Sequence, residues 1–429
     1  MSKTVKIRMY NVGFGDSFLI TLPDGRLILI DAGFHSRGKG EFSGDELVEQ
    51  ITKDVKNITG AEDAHIDVVI CTHRHADHLF AFNSSLWDQV SVGEVWLPWV
   101  EDRKNEKAVR LWKKQASFAM NLATALSSFQ LNAADRESVE FMLWNAGVEL
   151  PGMAAAGGWS NAKALDCLHE GFAYRRRTKP RFLPATRTFP ESFSCPDLPD
   201  VLIHVLGPPR DPELIEELDP EADGETYRAL AMRAAAAASG EAVADMSALA
   251  AFGPEWQVRE DEGGAEDLLT RNEKKWLENL ATGADALLAA THVDNMINST
   301  SLVLVIEVGK ARLLFPGDAE WGTWKRILAD DDARALLHNA TFLKVGHHGS
   351  HNATPKTLVE EVLPEGIPAM ISTQEGPGNY RNNIPLPDLV TALEEHDMRH
   401  VRSDQLPERL PRGFRKGDDG KWIELSIPC

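Results

Sequence analysis

Residues Met1 to Tyr10 alternate between polar and apolar positions, the period-two pattern of a strand with one buried face. Short apolar runs follow at Phe18-Leu-Ile20, Leu27-Ile-Leu-Ile30 and Ile66 to Ile70. Each has the length of a core strand and is too short for a helix. Further along, Asn298 to Glu307 and Ala311 to Asp318 read as two strands of a hairpin turning at Gly309-Lys310, and Phe342-Leu-Lys-Val345 as another strand. The middle of the chain has a different rhythm. Apolar residues recur at helical spacing from Lys104 to about Trp144, as in Leu111-Trp112, Phe118-Ala119 and Leu122. The Ala-rich stretch from Arg228 to Leu249 also predicts a helix, broken at Gly240. A third helix is expected from Ala265 to Ala290, with Trp276 and Leu277 on its buried side. Between these helices, Leu202-Ile-His-Val-Leu-Gly207 predicts a short core strand ended by Pro208-Pro209, with His204 packed in the core. The pattern is that of an α/β chain with strand-rich ends and a mostly helical middle.

The ends of the predicted strands carry the chemistry. Directly after the run at 66–70 stands Cys71-Thr-His-Arg-His-Ala-Asp-His78. In extended backbone alternate side chains share a face, so His73 and His75 project together, and Asp77 and His78 follow where the chain must turn. A pair of imidazoles suits one divalent ion, and a carboxylate with an imidazole suits a second. No Gly-x-Ser-x-Gly elbow and no Gly-x-x-x-x-Gly-Lys loop occurs, so neither a serine nucleophile nor a phosphate-cradling loop is indicated. Metal-assisted hydrolysis is the simplest chemistry for such a cluster.

Taken with Asn11-Val-Gly-Phe-Gly-Asp16-Ser17, Asp31-Ala-Gly33, Phe315-Pro-Gly-Asp318 and Val345-Gly-His347-His348-Gly-Ser350, this cluster resembles the ComEC-like branch of the metallo-β-lactamase superfamily. The resemblance implies a four-layered αββα sandwich with a helical insertion. It also implies two divalent metal ions, zinc foremost with manganese or iron as alternatives, held by His73, His75, Asp77, His78 and a bridging Asp318. The remaining ligand comes from His347 or His348, and His347 is the first choice. Asp31 is implied to orient the metal loop from behind, with Asp16 and Asn298 beside it. Many members have a histidine where Asn298 stands, which leaves His292 as the nearby imidazole able to fill that role. Among the catalytic candidates, Asp77 and Asp318 are joined by His351, as a proton donor to the leaving group or more simply as a solvated side chain. Members of the branch often show a His before a Pro; at Tyr380 to Pro387 this chain has Asn383 or Ile384 in that place.

Length then shapes the organisation. The 429 residues exceed one ordinary domain, yet Asp31, His73, Asp318 and His347 must meet in space. Residues 1–100 and 291–429 are therefore expected to form the two halves of one fold, and 101–290 a mostly helical insertion with a core strand near 201–207. The insertion is expected to cap the metal cleft, with an oligomer interface as the alternative. Four scattered cysteines at 71, 167, 195 and 429 show no paired spacing and fit a reducing compartment. No secretory core or membrane-length apolar run is present, so the expected location is the cytoplasm, without a membrane partner.

A formal net charge of −20 opposes tight, general binding to nucleic-acid backbones. One local exception is the run Tyr174 to Phe182, where Arg175, Arg176, Arg177, Lys179 and Arg181 form either a solvated surface or a phosphate-holding patch. The expected function is hydrolysis by a metal-bound hydroxide, on a phosphodiester such as a nucleotide, a small molecule or a short nucleic acid. The alternatives are hydrolysis of an ester, lactone or amide, and a non-catalytic scaffold or regulatory subunit.

Overall fold

The computed structural model describes residues 3–34, 40–126, 161–172, 174–175, 179–218, 283–350, 353–374, 384–417 and 419–429, with single residues between 139 and 146. The expected helix over 228–249, Trp276 and Leu277, and most of the stretch from 127 to Trp144 lie outside these residues.

The strands form two sheets. The first begins with β1 (Thr4–Tyr10), β2 (Ser17–Thr21), β3 (Leu27–Ala32), β4 (His65–Ile70), β5 (Ser91–Pro98), β6 (Tyr174–Arg175) and β7 (Arg181–Leu183). The second holds β8 (Glu191–Cys195), β9 (Leu198–Gly207), β10 (Val303–Val308), β11 (Ala311–Phe315), β12 (Phe342–Lys344), β13 (Pro368–Ile371) and β14 (Arg399–Arg402). The chain then returns to the first sheet with β15 (Phe414–Lys416) and β16 (Trp422–Pro428). The first sheet runs β15-β16-β1-β2-β3-β4-β5-β6 with β7 also on β5, and the second runs β14-β13-β12-β11-β10-β9-β8. The expected hairpin is present, with Val308 facing Ala311 across Gly309, whose φ of 61° suits the turn.

Alternation along the strands sends side chains to opposite faces and so builds the layers. Leu304, Ile306, Leu313 and Phe315 meet Ile7, Phe18, Ile28 and Ile30 in a core between the sheets. The intervening Leu27 and Leu29 face outward onto α1 (Gly44–Thr59), and Val303, Val305 and Leu314 pack on the other outer face. Short α2 (Ala76–Leu79) follows β4, while α3 (Glu106–Leu126), α4 (Asn161–Glu170), α5 (Pro212–Glu216) and α6 (Gly283–Asn298) belong to the middle of the chain. Helices α7 (Trp321–Ala329), α8 (Asp331–Leu337) and α9 (Pro387–Glu395) cover the second sheet. Helix, sheet, sheet, helix is the expected sandwich.

The middle is less purely helical than its composition predicts. Residues 174–207 supply four strands, and β9 pairs with β10 from Gly207–Val303 to Val201–Val308, so the second half of the sandwich starts near 191. Polar Glu191-Ser-Phe-Ser-Cys195 conceals the edge strand β8, because an edge needs only one apolar face. His204 is a packed residue, with Nδ1 2.8 Å from Ser192 Oγ and Nε2 3.4 Å from Glu307 Oε2. The inserted helices α3 and α6 pack on each other through Phe118, Ala119 and Leu122 against Ala289, Ala290 and Val293.

Trp324 anchors the second sheet's helical layer. Its ring is fully buried, and its indole N–H donates to the carbonyls of Ala319 and Ala353, each at 3.1 Å. Trp324→Ala removes the ring's packing and leaves a cavity, at an expected cost of about 3–5 kcal/mol. Denaturant titration checks it; a loss under about 1 kcal/mol would mean that the layer collapses into the space.

Candidate metal centre

The parallel strands β3, β4, β11, β12 and β13 all point their C-terminal ends to one edge of the sandwich. Loops leaving such ends converge, which is where open α/β sheets place their ligands. Asp31 lies at the end of β3, residues 72–78 follow β4, Asp318 follows β11, His347 and His348 follow β12, and Ser372 follows β13.

Ligand atoms of Asp77, His78, Asp318 and His348 lie within 4.8 Å of one another, all on buried residues. His348 Nε2 stands 2.9 Å from Asp77 Oδ2, and His78 Nε2 stands 3.1 Å from Asp318 Oδ2 and 3.8 Å from Asp77 Oδ2. Beside them, His73 Nε2 is 3.0 Å from His75 Nδ1. Two ligands bonded to one zinc at about 2.0–2.1 Å lie roughly 3.3 Å apart in a tetrahedron, so these separations fit donors to a common ion. The buried Asp16 Oδ1 hydrogen-bonds to nothing among the described residues, a polar atom that the same surroundings leave over.

Each imidazole is set from behind. His78 Nδ1 sits 2.8 Å from Asp31 Oδ2, which aims Nε2 at Asp318. Burial opposes a charge on this ring, but Asp318, Asp31 and Asp16 outweigh it and hold the imidazole well above its ordinary range. Both nitrogens are therefore protonated here, and Nε2 would release its proton to an ion. Asp31 also accepts from the backbone N–H and hydroxyl of Thr72, both at 2.7 Å, and these bonds hold its left-handed backbone at φ 56°. His348 Nδ1 donates to the Ser372 carbonyl at 2.8 Å, which again turns Nε2 inward. His73 Nδ1 is 3.2 Å from Thr72 Oγ1. The consecutive left-handed residues His347 (φ 44°) and His348 (φ 53°) form the tight turn that aims the second ring at Asp77.

The charges follow from this crowding. Burial pushes the His73 imidazole well below its ordinary range and His75 down to about 4, so both are neutral, as ligands must be. Burial works against ionisation of Asp77, but His78 and His348 hold its carboxyl well below the usual range. Burial likewise opposes Asp318, and His78 and Lys344 outweigh it. The Lys344 ammonium, fully buried, ion-pairs with Asp16 and lies 3.4 Å from both Asp318 Oδ1 and the Gly317 carbonyl.

Residues 10–85 match the family model described as Metallo-beta-lactamase superfamily. The fold is that of the metallo-beta-lactamase superfamily. A curated relative, ComE operon protein 3 of Bacillus subtilis (strain 168), is 31% identical over 110 residues, which are 25% of this chain and 13% of that protein. The match thus spans a small part of the relative's length.

Several expectations about the superfamily site change on the structure. His348, not the first-choice His347, joins the cluster; the left-handed turn leaves the His347 ring 3.5 Å from Asn298 Nδ2 and 3.8 Å from Glu320, with only its backbone N–H reaching Asp318 Oδ1 at 3.1 Å. His292 is on the side of α6 that faces α3, its ring tilted against Phe118 at 5.4 Å, and is not in the cluster. Asn298 stays buried beside Glu320 at 3.4 Å. His351, Arg176, Arg177 and the side chain of Arg175 lie outside the described residues, while Lys179 is exposed. Arg181 is occupied as a structural cation: its Nε bonds Glu94 at 3.1 Å and its guanidinium covers Phe193 at 4.8 Å.

Sequence reasoning missed two charged groups. Lys344 was visible as the one cation inside the apolar Phe342-Leu-Lys-Val345 run. Asp294, on α6, places Oδ1 3.2 Å from His75 Nε2, and burial pushes its carboxyl up to about 7. Nothing in the spacing around Asp294 marks it, because its approach depends on how α6 packs. The insertion also grips the metal loop itself: Asn161 Nδ2 donates to the Arg74 carbonyl at 3.0 Å, and the Ala76 N–H donates to Asn145 Oδ1 at 3.2 Å.

Proposed function

We propose that the chain is a metal-dependent hydrolase acting on a phosphodiester, a nucleotide or a short oligonucleotide. The observation that carries the hydrolase reading is the convergence of Asp77, His78, Asp318 and His348 at one sheet edge, beside the paired His73 and His75. A divalent ion in such a donor set lowers the pKa of water toward neutrality and polarises the oxygen of the group under attack. The protein's own part is to aim the donors: Asp31 and Ser372 fix two imidazoles, and Lys344 offsets the charge of Asp16 and Asp318.

The phosphate half of the reading is supported by a cavity of about 400 Å³ lined by Lys107, Arg187, Arg210 and Arg326, with Asp211 as its acidic member and Phe189 on its wall. Leu206 and Pro208 line it at the end of β9 that pairs with Val303, the same sheet edge from which Asp318 follows β11. Arg210 is held by the Pro184 and Ala185 carbonyls, and Arg326 covers Phe189 at 3.9 Å. On a chain of net charge −20 it is thus the local excess of positive charge, rather than four uncommitted cations, that favours an anionic ligand over a neutral ester.

Turnover of a chromogenic phosphodiester by protein stripped of metal and then reloaded with zinc or manganese tests the reading. Activity is expected to disappear on chelation and to return on reloading. Turnover of an ester substrate alone would replace the phosphodiester by a carboxylic ester, and no turnover of either would favour a scaffold or regulatory role.

A further inference from the structure

Three of the four imidazoles whose nitrogens face the centre share one device. His78 leans on Asp31, His348 on the Ser372 carbonyl and His73 on the Thr72 hydroxyl, in each case through Nδ1, so that Nε2 looks into the centre. His75 is turned the other way. Its Nδ1 is the atom 3.0 Å from His73 Nε2, which leaves Nε2 pointing away from the pair into buried space. The nearest charged group there is Asp294, whose Oδ1 stands at ion-pair distance, 3.2 Å, while Nε2 makes no aligned hydrogen bond among the described residues.

We infer that Asp294, supplied by the inserted helix α6, is the positioning residue of His75: its carboxylate holds the proton on Nε2 and so commits Nδ1 to the metal centre. This rests on the metal-dependent reading of the site. An imidazole presents a lone pair at one nitrogen only when the other carries the proton, and a carboxylate against that second nitrogen fixes both tautomer and ring plane. Asp294 does not replace the histidine that many superfamily members have near Asn298, because it stands on the far side of the His75 ring from His73. It is itself placed by the insertion. Ala289, Ala290 and Val293 of α6 pack on Phe118 and Leu122, and Asn145 Nδ2 lies 3.5 Å from Asp294 Oδ1. The same Asn145 accepts the Ala76 N–H with its other amide atom, so one side chain ties the carboxylate to the loop it serves. The insertion is thus a working part of the centre rather than only a cover.

The experiment compares the full chain with Asp294→Ala and Asp294→Asn. Zinc affinity is read by competition with a chromophoric chelator, the ligand field by the visible spectrum of the cobalt-loaded protein, and folding by the thermal melt of the metal-free forms. Asp294→Ala is expected to bind one of two ions about ten- to hundredfold more weakly, the usual effect of removing such a partner. Asp294→Asn keeps an oxygen that accepts the same proton, and is expected to restore most of that affinity with an unchanged cobalt spectrum. If Asp294→Ala binds both ions as the parent does, the inference fails while the functional reading stands. If both variants lose one ion outright and shift the cobalt bands, Asp294 is a direct ligand and positioning is wrong. A parent chain that binds no metal removes the inference and the functional reading together.

Discussion

Asp77→Ala is expected to release one metal ion and to lower any metal-dependent turnover by more than about a hundredfold, a larger loss than removing a group one contact away from the ion would cause. Asp77 Oδ2 is the point where two rings meet, 2.9 Å from His348 Nε2 and 3.8 Å from His78 Nε2. Its carboxyl is ionised because those imidazoles outweigh its burial, so it brings a full negative charge into a closed space. Alanine removes the carboxylate nearest His348 Nε2 and takes one donor from the cluster, leaving Asp318 as its remaining carboxylate. Metal content after gel filtration, measured with the hydrolysis assay, checks both parts. Full activity in a variant depleted of that ion would sink the mechanism.

Gly33→Ala is expected to be nearly as damaging, though residue 33 touches no ligand atom. A methyl group there would overlap the backbone of Asp77 and His78, and backbone cannot rotate aside as a flexible side chain can. The contact is close because the segment around β3 clasps the metal loop: Gly33 N–H donates to the Asp16 carbonyl at 3.0 Å, and Asp16 N–H donates to the Asp77 carbonyl at 2.8 Å. Relieving the overlap displaces both donors together. We expect about 1–3 kcal/mol of destabilisation, the range for an overpacked core, and a loss of tightly held metal. Thermal melts and metal content of Gly33→Ala measure this, and parent values in both would show that the loop yields freely.

Much of this arrangement is legible in the chain because its signals are local. The hairpin over 303–315, the strand at 65–70 and the cluster from His73 to His78 each announce themselves within a dozen residues, by period-two patterning or by donor spacing. The illegible part depends on packing or on single torsions. The choice between His347 and His348 is made by two left-handed residues, which their neighbours in sequence do not encode. His292 and Asp294 lie two positions apart on one helix, and only the angle at which α6 meets α3 sends the first toward Phe118 and the second toward His75. Arg181 looks like a member of a basic surface run until Glu94, from a distant strand, is seen beside it.

The hydrogen bonds from the insertion to the backbone at Arg74 and Ala76 bear on how such a protein can change over time. An appended module that merely shields a pocket can be trimmed, exchanged or duplicated with little effect beneath it. Here, excising the module would take away the partners of a carbonyl and an amide of the metal loop, at about 0.5–1.5 kcal/mol for each hydrogen bond lost. Loop and insertion are therefore bound to a shared history: replacing one in a chimaera requires carrying over the matching part of the other.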